Sequence, residues 1–165
     1  MASSSRIIVG PIRLAPLLAL ALVFLLPHLA PAQTTSWQST IDNWSTPADW
    51  TNGLPNSSTT ANVDNTGAPK IASGSAAAAT LVLGSTSSST GTLFLSGTGA
   101  LSATNEYIGE SGSGNVNQTG GSNTVTNTVY MASTSTASSI YGLSAGSLTT
   151  ANLFIGYGGP SANFS

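Results

Sequence analysis

Residues 105–126 read Asn105-Glu-Tyr-Ile-Gly-Glu-Ser-Gly-Ser-Gly-Asn-Val-Asn-Gln-Thr-Gly-Gly-Ser-Asn-Thr-Val-Thr126, three very short strand-like pieces divided by Gly, Ser and Asn corners. Degenerate copies flank the stretch, and three columns can be followed through them. The first column is Leu81-Val-Leu-Gly84, Glu106-Tyr-Ile-Gly109, Val129-Tyr-Met-Ala132 and Leu153-Phe-Ile-Gly156. The second starts at Leu93, Val116, Tyr141 and Phe164, and the third is marked by Leu101, Val125 and Leu148. All three recur at intervals of 23–25 residues. A fixed period of this size marks a repeat architecture in which no single repeat buries its own apolar face.

Stacked coils fit these pieces. Equivalent strands then lie about 4.8 Å apart and pair as a parallel ladder. The spacing therefore predicts an all-β fold, a parallel β-helix (β-solenoid) with about 24 residues and three short strands per coil. Gly84, Gly97, Gly109, Gly121 and Gly156 fall at corners, where a left-handed backbone costs glycine little. Side chains alternate across a strand, so Leu83, Ile108, Met131 and Ile155 form an inward row, joined two residues earlier by Leu81, Val129 and Leu153. Val82, Tyr107, Tyr130 and Phe154 form an outward row. Glu106 is the misfit, since it falls in the inward row. It is expected either to sit at the strand edge and snorkel out or to mark a local bulge. The same coil also places Gln118 in a row that is otherwise apolar.

Composition bounds the function. At 165 residues the chain has room for one domain plus appendages. Only 5% of residues are charged, against roughly 25% in ordinary globular proteins. Cysteine is absent, which rules out a disulfide framework and a thiolate metal site.

Met1 to Ala32 carries the three parts of a secretory signal: Arg6 and Arg13, the apolar run Leu14–Leu26, and the small-x-small site Ala30-Pro31-Ala32. The run is shorter than the roughly 20 residues of a membrane span and holds Pro16. Cleavage removes Arg6, Arg13 and His28. Lys70 is then the single base, against Asp42, Asp49, Asp64, Glu106 and Glu110, a formal charge of −4. A nucleic-acid partner needs several cations to neutralise phosphates and is excluded. The expected localisation is secreted or cell surface, with membrane association limited to the export signal or a missing C-terminal anchor.

The chain divides into a signal peptide (1–32), a Trp-rich N-terminal cap and opening coil (33–75) and the solenoid repeats (76–165). All three tryptophans, Trp37, Trp44 and Trp50, fall in the cap beside Pro47, Pro55 and the turn pair Asn52-Gly53. A terminal repeat needs an atypical cover, and the rings supply one. The alternative is a sugar-stacking platform built on Trp44 and Trp50. Ala61-Asn-Val-Asp64 and Lys70-Ile-Ala72 read as the first strands of the opening coil, joined by a turn at Asn65-Thr-Gly-Ala-Pro69.

Tyr107 to Val125, Tyr-Ile-Gly-x-x-Gly-x-Gly-x-Val-Asn-Gln-Thr-Gly-Gly-Ser-Asn-Thr-Val, resembles the repeat of bacterial autotransporter passengers and of exported PEP-CTERM proteins. Ile140-Tyr-Gly-Leu-Ser-Ala-Gly-Ser-Leu148 is a second copy, and Asn43-Trp to Leu54-Pro55 is similar to the segment that often precedes such repeats. The resemblance implies a β-helix-like fold and a surface or secreted role, and it carries over no catalytic residue. The sequence shows neither a Pro-Glu-Pro sorting helix nor a membrane barrel, and it stops at Ser165 inside a second-column strand, as a fragment or truncated frame would.

Chemistry is sparse. Acid–base cleavage of a glycosidic bond needs two carboxylates across the bond. Glu106 and Glu110 are the single close pair, set among glycines that disfavour a helical i,i+4 placement. Asp42, Asp49 and Asp64 fall short of the six to eight oxygens that Ca²⁺ takes. No catalytic residue, metal site or cofactor is expected, and the chain is read as non-enzymatic. Two functions remain: a structural or adhesive passenger, or a carbohydrate- or matrix-binding module. The second would use the stripe Tyr107, Tyr130 and Phe154, or Trp44 and Trp50, with extracellular polysaccharide, matrix or other surface proteins as partners.

Overall fold

The computed structural model describes residues 32–165, so the expected signal peptide, apart from its last residue Ala32, lies outside the described residues. Residues 32–165 form one compact unit. It contains β1 (Thr34–Ser36), β2 (Ile41–Asn43), β3 (Thr60–Val63), β4 (Ala68–Ile71), β5 (Ser75–Leu83), β6 (Thr90–Leu95), β7 (Ala100–Ile108), β8 (Ser113–Met131), β9 (Ser138–Ile155) and β10 (Ser161–Phe164), with one 3₁₀ turn at Pro47–Asp49. All pairings between these strands are parallel. The unit is a parallel β-solenoid of about five turns with a repeat near 24 residues.

The strand order β1-β3-β5-β7-β8-β6-β4-β2 shows how the coils stack. β8 closes the path because its first part pairs with β6 and its second with β7. One strand thus runs round all three faces of a coil, and β9 repeats the course above it. The three strands expected per coil are therefore three faces, joined without a break in β8 and β9.

The first column pairs Leu81, Glu106, Val129 and Leu153 in register, then Val82, Tyr107, Tyr130 and Phe154, then Leu83, Ile108, Met131 and Ile155. The second pairs Leu93, Val116, Tyr141 and Phe164. The third departs from expectation. Leu101 pairs with Asn123, and Asn123 with Leu148, whereas Val125 pairs with Ala103 and Thr150. Irregularities between Ala103 and Asn105, and between Val125 and Thr128, bring this face back into step with the first column. Corners of unequal length keep the mean period while moving this face by a single residue against the other two, so that Asn123 and not Val125 meets Leu101.

Leu81, Leu83, Ile108, Val129 and Met131 are fully buried, and Val63 and Ala61 of β3 extend their rows toward the cap. Leu153 and Ile155 continue the inward rows but are exposed, since among the described residues no strand stacks above the first column of their coil. The corner glycines behave as expected: Gly84, Gly109 and Gly156 take φ of 69°, 71° and 69°. The fourth member of that row is Ala132, at φ 52°, in the left-handed region that crowds a Cβ.

The opening turn differs in one detail. Pro69 lies inside β4, opposite Asp42, and does not end the turn. Pairing of β4 with β6 starts just after it, at Lys70, as a residue without an N–H requires.

Candidate functional site

Trp44 and Trp50 sit in the core and not on a surface. Trp37, Trp44 and Trp50 are each 3–4% exposed. Trp50 packs against Trp37 edge-on at 5.1 Å and against Trp44 at 4.8 Å, and its Nε1 donates to the Trp44 carbonyl at 2.9 Å. Their faces are covered by one another and by the apolar cluster of the first coils. The sugar-stacking expectation for Trp44 and Trp50 meets rings with almost no accessible surface.

The stripe is assembled as a stack. Tyr107 and Tyr130 lie 5.0 Å apart at 11°, and Tyr130 and Phe154 5.5 Å apart at 14°. Tyr157, which the sequence reading left out, closes edge-on over Tyr130 at 5.2 Å and tilts onto Phe154 at 5.5 Å. Rings stacked along the axis cover each other's faces and turn their edges outward. Tyr107 and Tyr130 therefore offer rims, while Phe154 and Tyr157 keep exposed surface.

The polar residues of the repeat form an interior cluster. Glu106 is fully buried and does not snorkel out, and the local bulge expected of its coil is present as an irregularity between Ala103 and Asn105. It stands between Leu81 and Val129 in the ladder. Asn123 Nδ2 donates to Glu106 Oε2 at 3.0 Å and to the Tyr141 hydroxyl at 3.1 Å. Tyr141 in turn donates to Gln118 Oε1 at 2.6 Å. Gln118 Nε2 donates to the carbonyls of Ser147, at 3.0 Å, and Gly121. All four side chains are shut off from solvent. Burial pushes the Glu106 carboxyl up to about 7, although the Asn123 bond acts the other way. The Tyr141 phenol is also raised, first by burial and then by Glu106.

Glu110 lies at the next corner, part-buried, and its pKa is raised by burial and by Asp64. One carboxylate inside the core and one outside it do not face a common cleft. Asp64 is engaged structurally: its Oδ1 accepts from Ser85 N at 2.6 Å and from Ser89 Oγ at 3.1 Å, which closes the corner of the following coil. Asp42 Oδ1 caps Asn43 N. Among the described residues no three acidic or histidine side chains converge on one point.

On the outer side of the second column, Phe94 and Ile140 border a shallow groove with Asn115 and Asn117. Ile140 is half exposed there, and the groove is not legible in the sequence because Phe94, the two asparagines and Ile140 come from three different coils. Comparison with protein-family models, with characterised proteins and with solved structures finds no match to the chain.

Proposed function

We propose that the chain is a non-enzymatic, exported structural or adhesive module, a rigid spacer displayed at the cell surface or released outside the cell. The observation that carries this reading is where the chemistry goes. Most of the apolar rows, the ring faces of the aromatic stack and the buried polar side chains join coil to coil, and the long sides carry mainly Ser, Thr, Asn and Gly. A repeat stack of this kind is stiff along its axis and presents an extended surface. The leader-like composition of residues 1–32 and the resemblance to exported passenger repeats support the location. The test is fractionation of cells expressing the full chain beside a variant lacking residues 2–32. A product starting at Gln33 and found outside the cytoplasm supports export. Retention of both forms inside the cell refutes it.

A second reading, a carbohydrate- or matrix-binding module, is favoured by the groove that sets Phe94 and Ile140 beside Asn115 and Asn117. Apolar rims beside free amides suit sugar ring faces and hydroxyls. Binding of the full chain to a neutral polysaccharide panel, lost in Phe94→Ala with Asn117→Ala, supports it; no binding across the panel removes it.

A further inference from the structure

We propose that Glu106 is held in the solenoid core as a neutral carboxylic acid that donates its proton to Asn123 Oδ1, and that this acid–amide pair is a proton-operated latch on the corner around Gly121.

The geometry starts from two orphans. Glu106 Oε1 and Asn123 Oδ1 are buried acceptors without a hydrogen-bond partner, a costly state in a dry interior. They belong to a carboxyl and an amide already joined through Glu106 Oε2 and Asn123 Nδ2. Both amide hydrogens are used, on Glu106 and on Tyr141. What the pair lacks is one hydrogen, and a proton on Oε1 supplies it.

A cation fits the same oxygens poorly. Gln118 Oε1 is taken by Tyr141, which leaves two free oxygens where Ca²⁺ takes six to eight. The surroundings offer no counter-charge. Leu81 of β5 and Val129 of β8 stack on either side, Asn123 and Gln118 of β8 are neutral, and Tyr141 of β9 is the titratable group that faces the carboxyl. Lys70, the one base among the described residues, is exposed.

The latch acts on the backbone through an unbroken chain. Glu106 fixes Asn123, Asn123 fixes Tyr141, Tyr141 fixes Gln118, and Gln118 holds the carbonyls of Gly121 and Ser147. β8 and β9 lose register at this corner, between Gln118 and Ser122. Side-chain bonds there stand in for missing ladder bonds. Removing the proton puts a bare carboxylate beside Asn123 Oδ1 and loosens the chain from its far end.

The test uses the full-length chain with ¹³C-labelled glutamate. Glu106 and Glu110 are the two glutamates, so two side-chain carbonyl resonances are followed from pH 4 to 9. The Glu106 signal should stay that of the acid until near pH 7. Amide exchange at Thr119–Ser122, corrected for intrinsic rates, should then accelerate about tenfold or more across the same titration, and that acceleration should vanish in Glu106→Gln. Titration of Glu106 at or below the ordinary 4.5 overturns the neutral acid. Acceleration that persists in Glu106→Gln overturns the latch. If that variant fails to fold, wild-type exchange at Thr119–Ser122 that stays flat while the Glu106 resonance titrates overturns the latch by itself.

Discussion

Asn123 is the in-register neighbour of Leu101 in a row that Ala76 and Leu148 otherwise fill with hydrocarbon, and it turns its amide to Glu106 at 3.0 Å. Its replacement should therefore act through what it abandons more than through what it adds. Asn123→Leu suits the row but leaves a buried carboxyl oxygen unpartnered, which costs about 1–3 kcal/mol. Combining it with Glu106→Leu removes both polar partners and should recover most of that loss. Denaturant midpoints of the four proteins in a double-mutant cycle measure the coupling.

Stability should fall as pH rises toward neutrality. The folded Glu106 value of about 7 exceeds the ordinary 4.5, so between these values the folded chain holds a proton that the unfolded chain has released. The contribution is complete below about pH 4.5 and lost by about pH 7, on the order of 3 kcal/mol. Unfolding midpoints at pH 4.5 and 8, compared with those of Glu106→Gln, isolate this group from the other carboxylates.

Tyr130 touches three rings, whereas Tyr107 stacks on one. Aromatic pairs contribute about 0.5–1.5 kcal/mol beyond area burial, so Tyr130→Ala should destabilise by about 2–4 kcal/mol and Tyr107→Ala by about half as much. The near-ultraviolet dichroism of the stack should weaken in the same order. Equal losses would mean that the rings do not act as a ladder.

Ala132 is the one member of its corner row that is not glycine. Ala132→Gly relieves a left-handed alanine worth about 1–2 kcal/mol, offset in part by the freedom glycine gains when unfolded. A gain of up to about 1 kcal/mol is expected. The reverse exchange, Gly109→Ala, drives a Cβ into the Ser138 carbonyl and should cost more than Ala132→Gly returns. Thermal midpoints of the two variants give both signs.

Trp50→Ala empties the centre of the three-ring cluster and should cost about 3–5 kcal/mol. Trp50→Phe keeps a ring and loses the bond to the Trp44 carbonyl, a cost of about 1–2 kcal/mol. Urea unfolding followed by the remaining tryptophans reads both.

The first two columns were legible because their rows are apolar at a constant offset, from Leu83 through Ile108 and Met131 to Ile155. The third was misread at Val125 because Asn123 holds the apolar place, and a search for hydrocarbon passes over it. Glu106 and Gln118 stood out in the sequence as misfits, but what they bond did not. Asn123 and Tyr141 lie 17 to 23 positions away from the groups they meet, and only the stacking of coils brings them together. The aromatic column was likewise visible while its ring orientation was not, since alternation gives the side of a sheet and not the angle of a ring.

The tryptophan cluster also gives the stack a direction in time. Where each coil leans on its neighbours, loss spreads from the less covered side, and here one side is closed by Trp37, Trp44 and Trp50 while Leu153, Phe154 and Ile155 stand open. In the 165-residue chain taken by itself, unwinding should thus begin at β9 and β10 and travel toward β1, one turn after another, with the Glu106 layer as the checkpoint it meets on the way. A molecule built from nearly equivalent coils would in this way come apart in a set order.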